Sequence, residues 1–267
     1  MIDKGSGPAV VLIPGMQGRW EWMAPAVDAL AMRCRVVTYS LCGEPGSDRD
    51  LDPAIGFENL TRQLEETLNR AGIDRAVLCG VSFGGLVALR FAAEHPERTA
   101  GLALVSTPGP SWCANARVRR HVRWPRLLAP WFVLTSPLRL MPEIKAAFGR
   151  GARAVAFFLR HSARVAAAPL APTRTAERVR MLMALSPSAD CVKVGAPTLV
   201  VTGEPDLDRV VPAEGTQEYI RAIPGAKHAL LERTGHLGLV TRPDRFAEIV
   251  GDFSRACFDD RRSLRSA

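Results

Sequence analysis

Short apolar runs recur along the chain, and each is bounded by glycine, proline or polar residues. The runs are nearly continuous in apolar side chains, a pattern typical of strands that are buried on both faces. They lie at residues 9–13, 35–39, 76–79, 102–105, 198–202 and 229–231. Segments with helical spacing of apolar residues lie between or after them, at residues 22–32, 57–71, 83–94, 213–222 and 244–257. This alternation predicts an α/β fold with a mostly parallel sheet and helices on both of its faces.

The most informative junction is at residues 76–89, where a strand pattern changes to a helix pattern at Ser82. Gly80 and Gly84 stand two residues before and two residues after this serine. A side chain at such a junction lies in a sharp, strained turn that lifts its hydroxyl out of the sheet, and the turn requires neighbours without bulk. The context predicts that Ser82 is a nucleophile; an ordinary tight turn is the alternative interpretation.

Length and composition describe one large domain or one domain with an insertion. The 267 residues are 47% hydrophobic, and no apolar run approaches the roughly 18 residues that would predict a transmembrane helix. The first residues lack the basic start and apolar core of a signal peptide, so we expect a cytoplasmic protein. Six cysteines are scattered without a CxxC pair, which favours buried thiols over a zinc site, a redox dithiol or disulfides.

The net charge of +8 is concentrated in one segment. Residues 111–185 contain 14 Lys or Arg and only two Glu, a local charge of +12, so the rest of the chain carries −4. This segment falls between the fourth and fifth predicted strands and is mainly helical in pattern. In parallel sheets, functional sites lie at the carboxyl ends of the strands. We therefore expect a helical, Arg-rich lid of residues 111–185 over a core domain of residues 1–110 and 186–267.

Three explanations fit the basic lid: a solvated helical face, attraction for an anionic substrate, or contact with an acidic membrane surface. The solvated face is the default, and membrane contact is the less favoured alternative. The apolar string at residues 127–134 is expected to cover the acyl pocket. Nucleic acid is not expected as a partner, because no stacking or groove-reading motif accompanies the arginines.

A serine nucleophile needs a base within hydrogen-bond reach and a carboxylate that orients this base. His236 is the best placed of the five histidines, because it lies in a glycine-containing loop after the last predicted strand. The loop after the fifth predicted strand offers three acids, which are Glu204, Asp206 and Asp208. The order of serine, acid and histidine is that of serine hydrolases built on an open parallel sheet.

Five sequence motifs follow one another along the chain. They are residues 7–15, residues 43–47, the Ser82 turn, residues 203–212, and Gly235-His236 followed by Arg242-Pro243. Outside the lid, nearly the whole chain resembles the α/β-hydrolase superfamily, specifically its lid-bearing, single-domain serine hydrolases, which include small esterases and carbon–carbon bond hydrolases. The resemblance implies an α/β-hydrolase fold and requires no metal or organic cofactor.

The resemblance leaves two candidates for the acid. Counting from Gly203-Glu204 favours Asp206, whereas counting back from Val211-Pro212 favours Asp208. We favour Asp208, because the Asp-x-x-Val-Pro spacing sets how the acid enters the following helix.

An oxyanion hole requires backbone N–H donors beside the nucleophile. Phe83 directly follows Ser82 and is expected to supply one donor. Relatives usually carry His-Gly before the second donor, and this chain reads Pro14-Gly15-Met16. The resemblance therefore assigns the second donor to Met16, with Gln17 as its neighbour.

The start of the chain departs from the family. Relatives have an antiparallel hairpin before the strand that leads into the oxyanion loop, and only eight residues precede Ala9. The N-terminal strands are therefore expected to be missing, and a homodimer is one way to cover the exposed sheet edge.

The expected reaction is hydrolysis of a carboxylic ester of a small molecule, with an anionic substrate as one option, through an acyl-enzyme on Ser82. Carbon–carbon bond cleavage, lactone hydrolysis and acyl transfer are the alternatives within the fold. A non-catalytic ligand-binding protein is the alternative from another class, since fold does not fix function.

Overall fold

The computed structural model describes residues 1–265, apart from the side chains of residues 132, 133 and 260–265. Within this range, seven strands form one sheet: β1 (Ile2–Lys4), β2 (Ala9–Ile13), β3 (Arg35–Thr38), β4 (Ala76–Val81), β5 (Thr99–Val105), β6 (Thr198–Thr202) and β7 (Lys227–Leu230). The strand order is β1-β3-β2-β4-β5-β6-β7. Every neighbouring pair is parallel except β1 with β3. The predicted mostly parallel sheet is confirmed.

Eleven α-helices connect the strands within residues 1–265, and a 3₁₀ helix at Trp20–Met23 precedes the first. They are α1 (Ala24–Ala31), α2 (Glu58–Arg70), α3 (Phe83–Glu94), α4 (Ala116–Arg123), α5 (Pro125–Phe148), α6 (Ala152–Ala167), α7 (Pro172–Met183), α8 (Pro187–Cys191), α9 (Ala213–Ala222), α10 (Gly238–Thr241) and α11 (Pro243–Arg265). None of these described helices is long and apolar enough to cross a membrane.

Helices pack on both faces of the sheet. Successive residues of a strand point to opposite faces, so Val11 and Ile13 join one apolar cluster while Val10 and Leu12 join the other. The first cluster includes side chains of α2, α3 and α9, and the second includes side chains of α1 and α11. Burial on both faces explains why the central strands are continuous apolar runs in the sequence.

One edge of the sheet contains a strand that the sequence pattern did not predict. β1 pairs with β3 in antiparallel register, with Ile2 opposite Thr38. The Arg35 guanidinium, 2.6 Å from the Asp3 carboxylate, joins the same two strands. The N-terminal strands were expected to be missing. That expectation is wrong, because the short strand β1 precedes β2. Three residues, two of them charged, are too few to show a strand period.

Helices α4 to α7 and the short α8 lie between β5 and β6, where the sequence predicts a helical segment. We call α4 to α7 the insertion; its treatment as a separate lid stays a prediction. The expectation that the string at residues 127–134 covers a pocket is wrong for three of its residues. Leu127, Trp131 and Leu134 are 61% to 74% exposed, because their spacing places them on the outward face of α5.

Candidate active site

Ser82 lies at the turn between β4 and α3 with a strained backbone. Its φ of 53° and ψ of −120° fall in a region that side-chain-bearing residues rarely adopt. The turn is held by neighbouring main chain, because the Ser82 N–H donates to the Val105 carbonyl at 2.7 Å and the Gly85 N–H donates to the Ser82 carbonyl at 2.9 Å. This is the geometry of a nucleophile elbow.

The glycines around Ser82 are required by close backbone approach. A Cβ at Gly80 would overlap the carbonyl group of Gly84, and a Cβ at Gly84 would overlap the carbonyl oxygens of Ile13 and Pro14. The helix α3 therefore begins in direct contact with the end of β2 and the loop that follows it. This packing explains why the sequence carries glycine on both sides of the serine.

The predicted oxyanion loop lies beside Ser82. A Cβ built on Gly15 would stand 3.4 Å from the Cβ of Ser82, and the next residue is Met16. A tight turn closes the loop, because the Gly18 N–H donates to the Gly15 carbonyl at 2.9 Å. Phe83 begins α3 on the other side of Ser82. The structure therefore brings the backbone at both assigned oxyanion donors next to the serine.

His236 and Asp208 meet at the carboxyl ends of β7 and β6. The Nδ1 atom of His236 lies 3.3 Å from Oδ2 of Asp208, and both side chains are buried. The other carboxylate oxygen of Asp208 accepts the N–H groups of Val210 at 3.0 Å and Val211 at 2.9 Å. Asp208 is thus oriented by main chain on one side and faces the imidazole on the other.

Charge pairing sets the protonation of these two groups. Burial alone would raise the pKa of Asp208, but the His236 charge, its hydrogen bond and the two backbone amides together hold that pKa below its usual value. Burial alone would lower the pKa of His236, yet the neighbouring Asp208 raises it overall. The pair therefore stabilises an imidazolium, which is the form that a general base acquires when it accepts a proton.

Ser82 follows β4 and His236 follows β7, so β5 and β6 lie between their strands in the sheet. Ser106, which follows the strand residue that accepts the Ser82 N–H, lines a narrow space together with Gly203 and His236. Among the described side chains, Ser82 Oγ makes no hydrogen bond to His236. Such contacts are often long without substrate and tighten in the reacting complex.

The other two acids of the loop after β6 have different environments. Asp206 is exposed. Glu204 joins the acid loop to the histidine loop, because its side chain accepts the Arg233 N–H at 2.6 Å and its own N–H donates to the Thr234 carbonyl at 2.8 Å. Of the three candidates, only Asp208 contacts the imidazole.

A buried glutamate from the insertion contacts the histidine loop and was not predicted. Glu143 on α5 is 1% exposed, and its carboxylate accepts the Leu237 N–H at 2.9 Å and faces the Thr241 hydroxyl at 3.4 Å. Burial raises the pKa of Glu143 to about 7, against the opposing effects of backbone hydrogen bonds and of His236. A second carboxylate thus lies beside the imidazole.

A second buried contact joins the insertion to the oxyanion loop. Arg178 on α7 and Glu44 form an ion pair at 2.7 Å, and both side chains are fully buried. The same guanidinium donates to the carbonyl of Met16 at 3.1 Å and to the carbonyl of Cys42 at 3.2 Å. Gly18 packs directly on the guanidinium, where a Cβ would collide with it. Arg178 therefore fixes the main chain at the predicted oxyanion donor.

Glu143 had a weak sequence signal and Arg178 had none. Glu143 is one of only two acids in a strongly basic segment, the other being Glu177, which pairs with Arg174 at 2.9 Å. An isolated acid in such a segment is a candidate for a specific partner. Arg178 is one of 14 basic residues there, and nothing in the sequence separates it from the rest.

A family model described as the alpha/beta hydrolase family matches residues 10–249. The chain belongs to this family. In sequence it is 29% identical over 254 residues to the protein named "Putative carbamate hydrolase RutD" of Stutzerimonas stutzeri, which covers 92% of this chain and 91% of that relative. The RutD protein of Azorhizobium caulinodans is 27% identical over 255 residues, with 93% and 92% covered.

Two solved structures show the same fold. An enol-lactonase from Burkholderia xenovorans LB400 has a TM-score of 0.76 at 22% identity and covers 94% of each chain. A thermophilic esterase from Thermogutta terrifontis has a TM-score of 0.74 at 24% identity, with 96% of this chain and 92% of that chain covered. At these identities the likeness concerns the fold, so the reaction has to be argued from the site.

Proposed function

We propose that this α/β hydrolase cleaves a carboxylic ester or a related acyl bond of a small molecule through an acyl-enzyme on Ser82. The observation that carries the proposal is the strained backbone of Ser82 between the Gly15 loop and the Val105 strand end. The buried pair of His236 and Asp208 supplies the base and its orienting carboxylate. The reaction class follows from these side chains together.

In the proposed mechanism, His236 accepts the Ser82 proton as the oxygen attacks the acyl carbon, and Asp208 stabilises the imidazolium. The N–H groups of Met16 and Phe83 donate to the oxyanion of the tetrahedral intermediate. The imidazolium then protonates the leaving group as the acyl–oxygen bond breaks. Water activated by the same histidine hydrolyses the acyl-enzyme and restores the serine.

The insertion positions both halves of this machinery. Glu143 holds the main chain directly after His236, and Arg178 holds the main chain at Met16. Neither residue is proposed to touch the substrate. Each fixes a loop whose orientation determines a catalytic group, and misplacing such groups by about 1 Å is costly in rate.

The names of the similar proteins suggest which substrates to test. RutD proteins are named for carbamates and the lactonase for an enol-lactone; both bonds yield to the same attack on a carbonyl carbon. The panel therefore contains activated esters, thioesters, lactones and carbamates. We favour esters, because they are the broadest class of substrate that this attack cleaves.

The decisive experiment is acylation of the serine. Wild-type protein mixed with p-nitrophenyl acetate should release a burst of p-nitrophenol, and Ser82→Ala should reduce turnover by up to about 10⁶-fold. Mass spectrometry after treatment with a fluorophosphonate should locate the adduct on Ser82. Ser106→Ala is the matched control, because Ser106 is also buried at a strand end with a positive φ, and it should still be labelled.

A different result would favour the non-catalytic alternative. If neither an activated ester nor a fluorophosphonate modifies the folded wild-type protein, the proposal is wrong and a ligand-binding role takes its place. Adduct formation on another residue would also contradict it.

A further inference from the structure

The exposed face of α5 presents an apolar stripe that the proposed reaction does not use. Its members are Trp124, Leu127, Trp131, Leu134 and Leu138, and each is between 54% and 74% exposed. We call these five residues the α5 stripe. Single exposed apolar residues are normal on a protein surface, whereas a contiguous set of large ones indicates a surface that binds something.

The spacing of the stripe places its members on one line. They are separated by three, four, three and four residues, which keeps them on one face of a helix. Trp124 directly precedes α5, and the stripe from there to Leu138 extends for about 20 Å. Two tryptophans near one end combine apolar rings with polar N–H groups, as is common at boundaries between water and lipid.

Exposed arginines lie on α4 and at the start of α5. Helix α4, which packs against α5, exposes Arg117, Arg119, Arg120 and Arg123, and Arg126 is exposed at the start of α5. The Arg123 guanidinium lies 5.7 Å from the ring centre of Trp124, which places charge directly against the stripe. Within the described insertion, the two acids cannot neutralise this charge, because Glu143 is buried and Glu177 pairs with Arg174.

The charge decides between possible partners. A second copy docked through the same face would bring two strongly basic surfaces together, which is repulsive. A bilayer that contains anionic lipids offers apolar chains to the stripe and negative head groups to the arginines at the same time. We propose that the α5 stripe and the arginines of α4 bind the protein peripherally to anionic lipid surfaces. This contact does not depend on the proposed hydrolysis.

Vesicle flotation tests this proposal directly. The wild type should float with vesicles of equimolar phosphatidylglycerol and phosphatidylcholine at low salt and should not float with pure phosphatidylcholine. Raising the salt to about 0.5 M should weaken binding at least about tenfold, because head-group attraction is screened. The same measurement on Ser82→Ala should give wild-type binding, which separates this proposal from the catalytic one.

Two double variants separate the apolar and the charged contributions. Leu127→Ser with Leu134→Ser should weaken vesicle binding at least about tenfold, and Arg120→Glu with Arg123→Glu should do the same. The matched control is Met32→Ser with Val192→Ser, which removes equally exposed apolar side chains outside the insertion. It should bind like the wild type.

Several results would overturn the proposal. They include no binding to anionic vesicles at low salt, equal binding to pure phosphatidylcholine, and an equal loss in the control variant. Sedimentation velocity tests whether a second copy of the chain binds the α5 stripe instead. A soluble dimer that Leu127→Ser with Leu134→Ser dissociates, without any vesicle binding by the wild type, would assign the stripe to a second copy of the chain.

Discussion

The Ser82 turn and the insertion are stabilised in different ways. All six residues of β4 and nine of the twelve residues of α3 are buried, so apolar packing and close glycine contacts fix the turn between them. In contrast, α4 has no buried side chain, and α5 contains three internal prolines, each without an N–H for the helix. The core is therefore held by continuous apolar burial, and the insertion adds polar anchors to a few buried apolar side chains such as Ile144 and Phe157.

Two of those polar anchors are charged side chains that contact the loops of proposed catalytic groups. Glu143 contacts the loop of His236, and Arg178 contacts the loop of Met16. A surface helix that only covered a pocket would need neither contact. The comparison teaches that the insertion supports the site through a few polar contacts, and this can be tested one contact at a time.

The largest effect is expected in the core, at the acid. Asp208→Asn should lower kcat by about 10⁴-fold, because an amide favours the wrong imidazole tautomer. Asp206→Asn is the matched control and should stay within about twofold of wild type, as for an exposed substitution. Steady-state kinetics with an activated ester measures both. Wild-type turnover by the Asp208 variant would remove this residue from the triad.

The next effect is expected at the buried ion pair of the insertion. Arg178→Met should lower the free energy of unfolding by about 3–5 kcal/mol, because it leaves the Glu44 carboxylate buried without its partner. Adding Glu44→Gln should restore much of this loss. Arg174→Met breaks the half-exposed pair with Glu177 on the same helix and should cost less than about 1 kcal/mol. Urea unfolding measures the free energy of unfolding of each variant. Equal losses of stability at Arg178 and Arg174 would contradict the assignment of Arg178 as a buried anchor.

A smaller effect is expected from the charge of Glu143. Its pKa of about 7 is raised by burial, so the folded protein binds a proton there that the unfolded chain loses near its ordinary pKa of about 4.3. The stabilising contribution is complete below the unfolded pKa and is lost as the pH rises through about 7. Glu143→Gln should remove this decline from the pH dependence of urea unfolding.

The same variant should also change the kinetics. Near and above pH 7, where Glu143 is ionised, its negative charge adds to that of Asp208 in raising the pKa of His236, so Glu143→Gln should move the acidic limb of the kcat/KM profile to lower pH. Glu177→Gln is the control and should leave the limb in place. A purely structural role would reduce activity without moving the limb.

The smallest effect is expected on the outer face of the insertion. Leu134→Ala should change the free energy of unfolding by less than about 0.5 kcal/mol, because this side chain is exposed. Leu89→Ala in α3 removes the same atoms from the buried core and should cost about 2–5 kcal/mol. Similar costs at the two leucines would show that the insertion packs like the core.

The sequence predicted those parts of the fold that depend on local pattern. The β4 strand, the Ser82 turn and α3 follow from continuous apolar burial and from glycine at fixed offsets, so the chain itself carries their signal. β1 was not predicted, because its three residues form a strand only through pairing with β3. The outward orientation of Leu134 was also missed, because an apolar string alone does not show which side of a helix is covered.

The candidate site also contains some residues that the sequence predicts and others that it does not. The order of Ser82, an acid and His236 could be predicted from loops that follow strands, and the spacing to Val211-Pro212 indicated Asp208 over Asp206. Glu143 and Arg178 could not be assigned, since each acts over more than 90 positions of sequence on a loop that the fold brings near. Contacts of that kind exist only once the helices are packed.

The full burial of Arg178 limits how this hydrolase can admit a substrate. Swinging α7 away from the sheet would expose a gap beside Gly18 and separate the guanidinium from Glu44 and from the Met16 carbonyl. We therefore expect α7 to stay in place when a substrate binds.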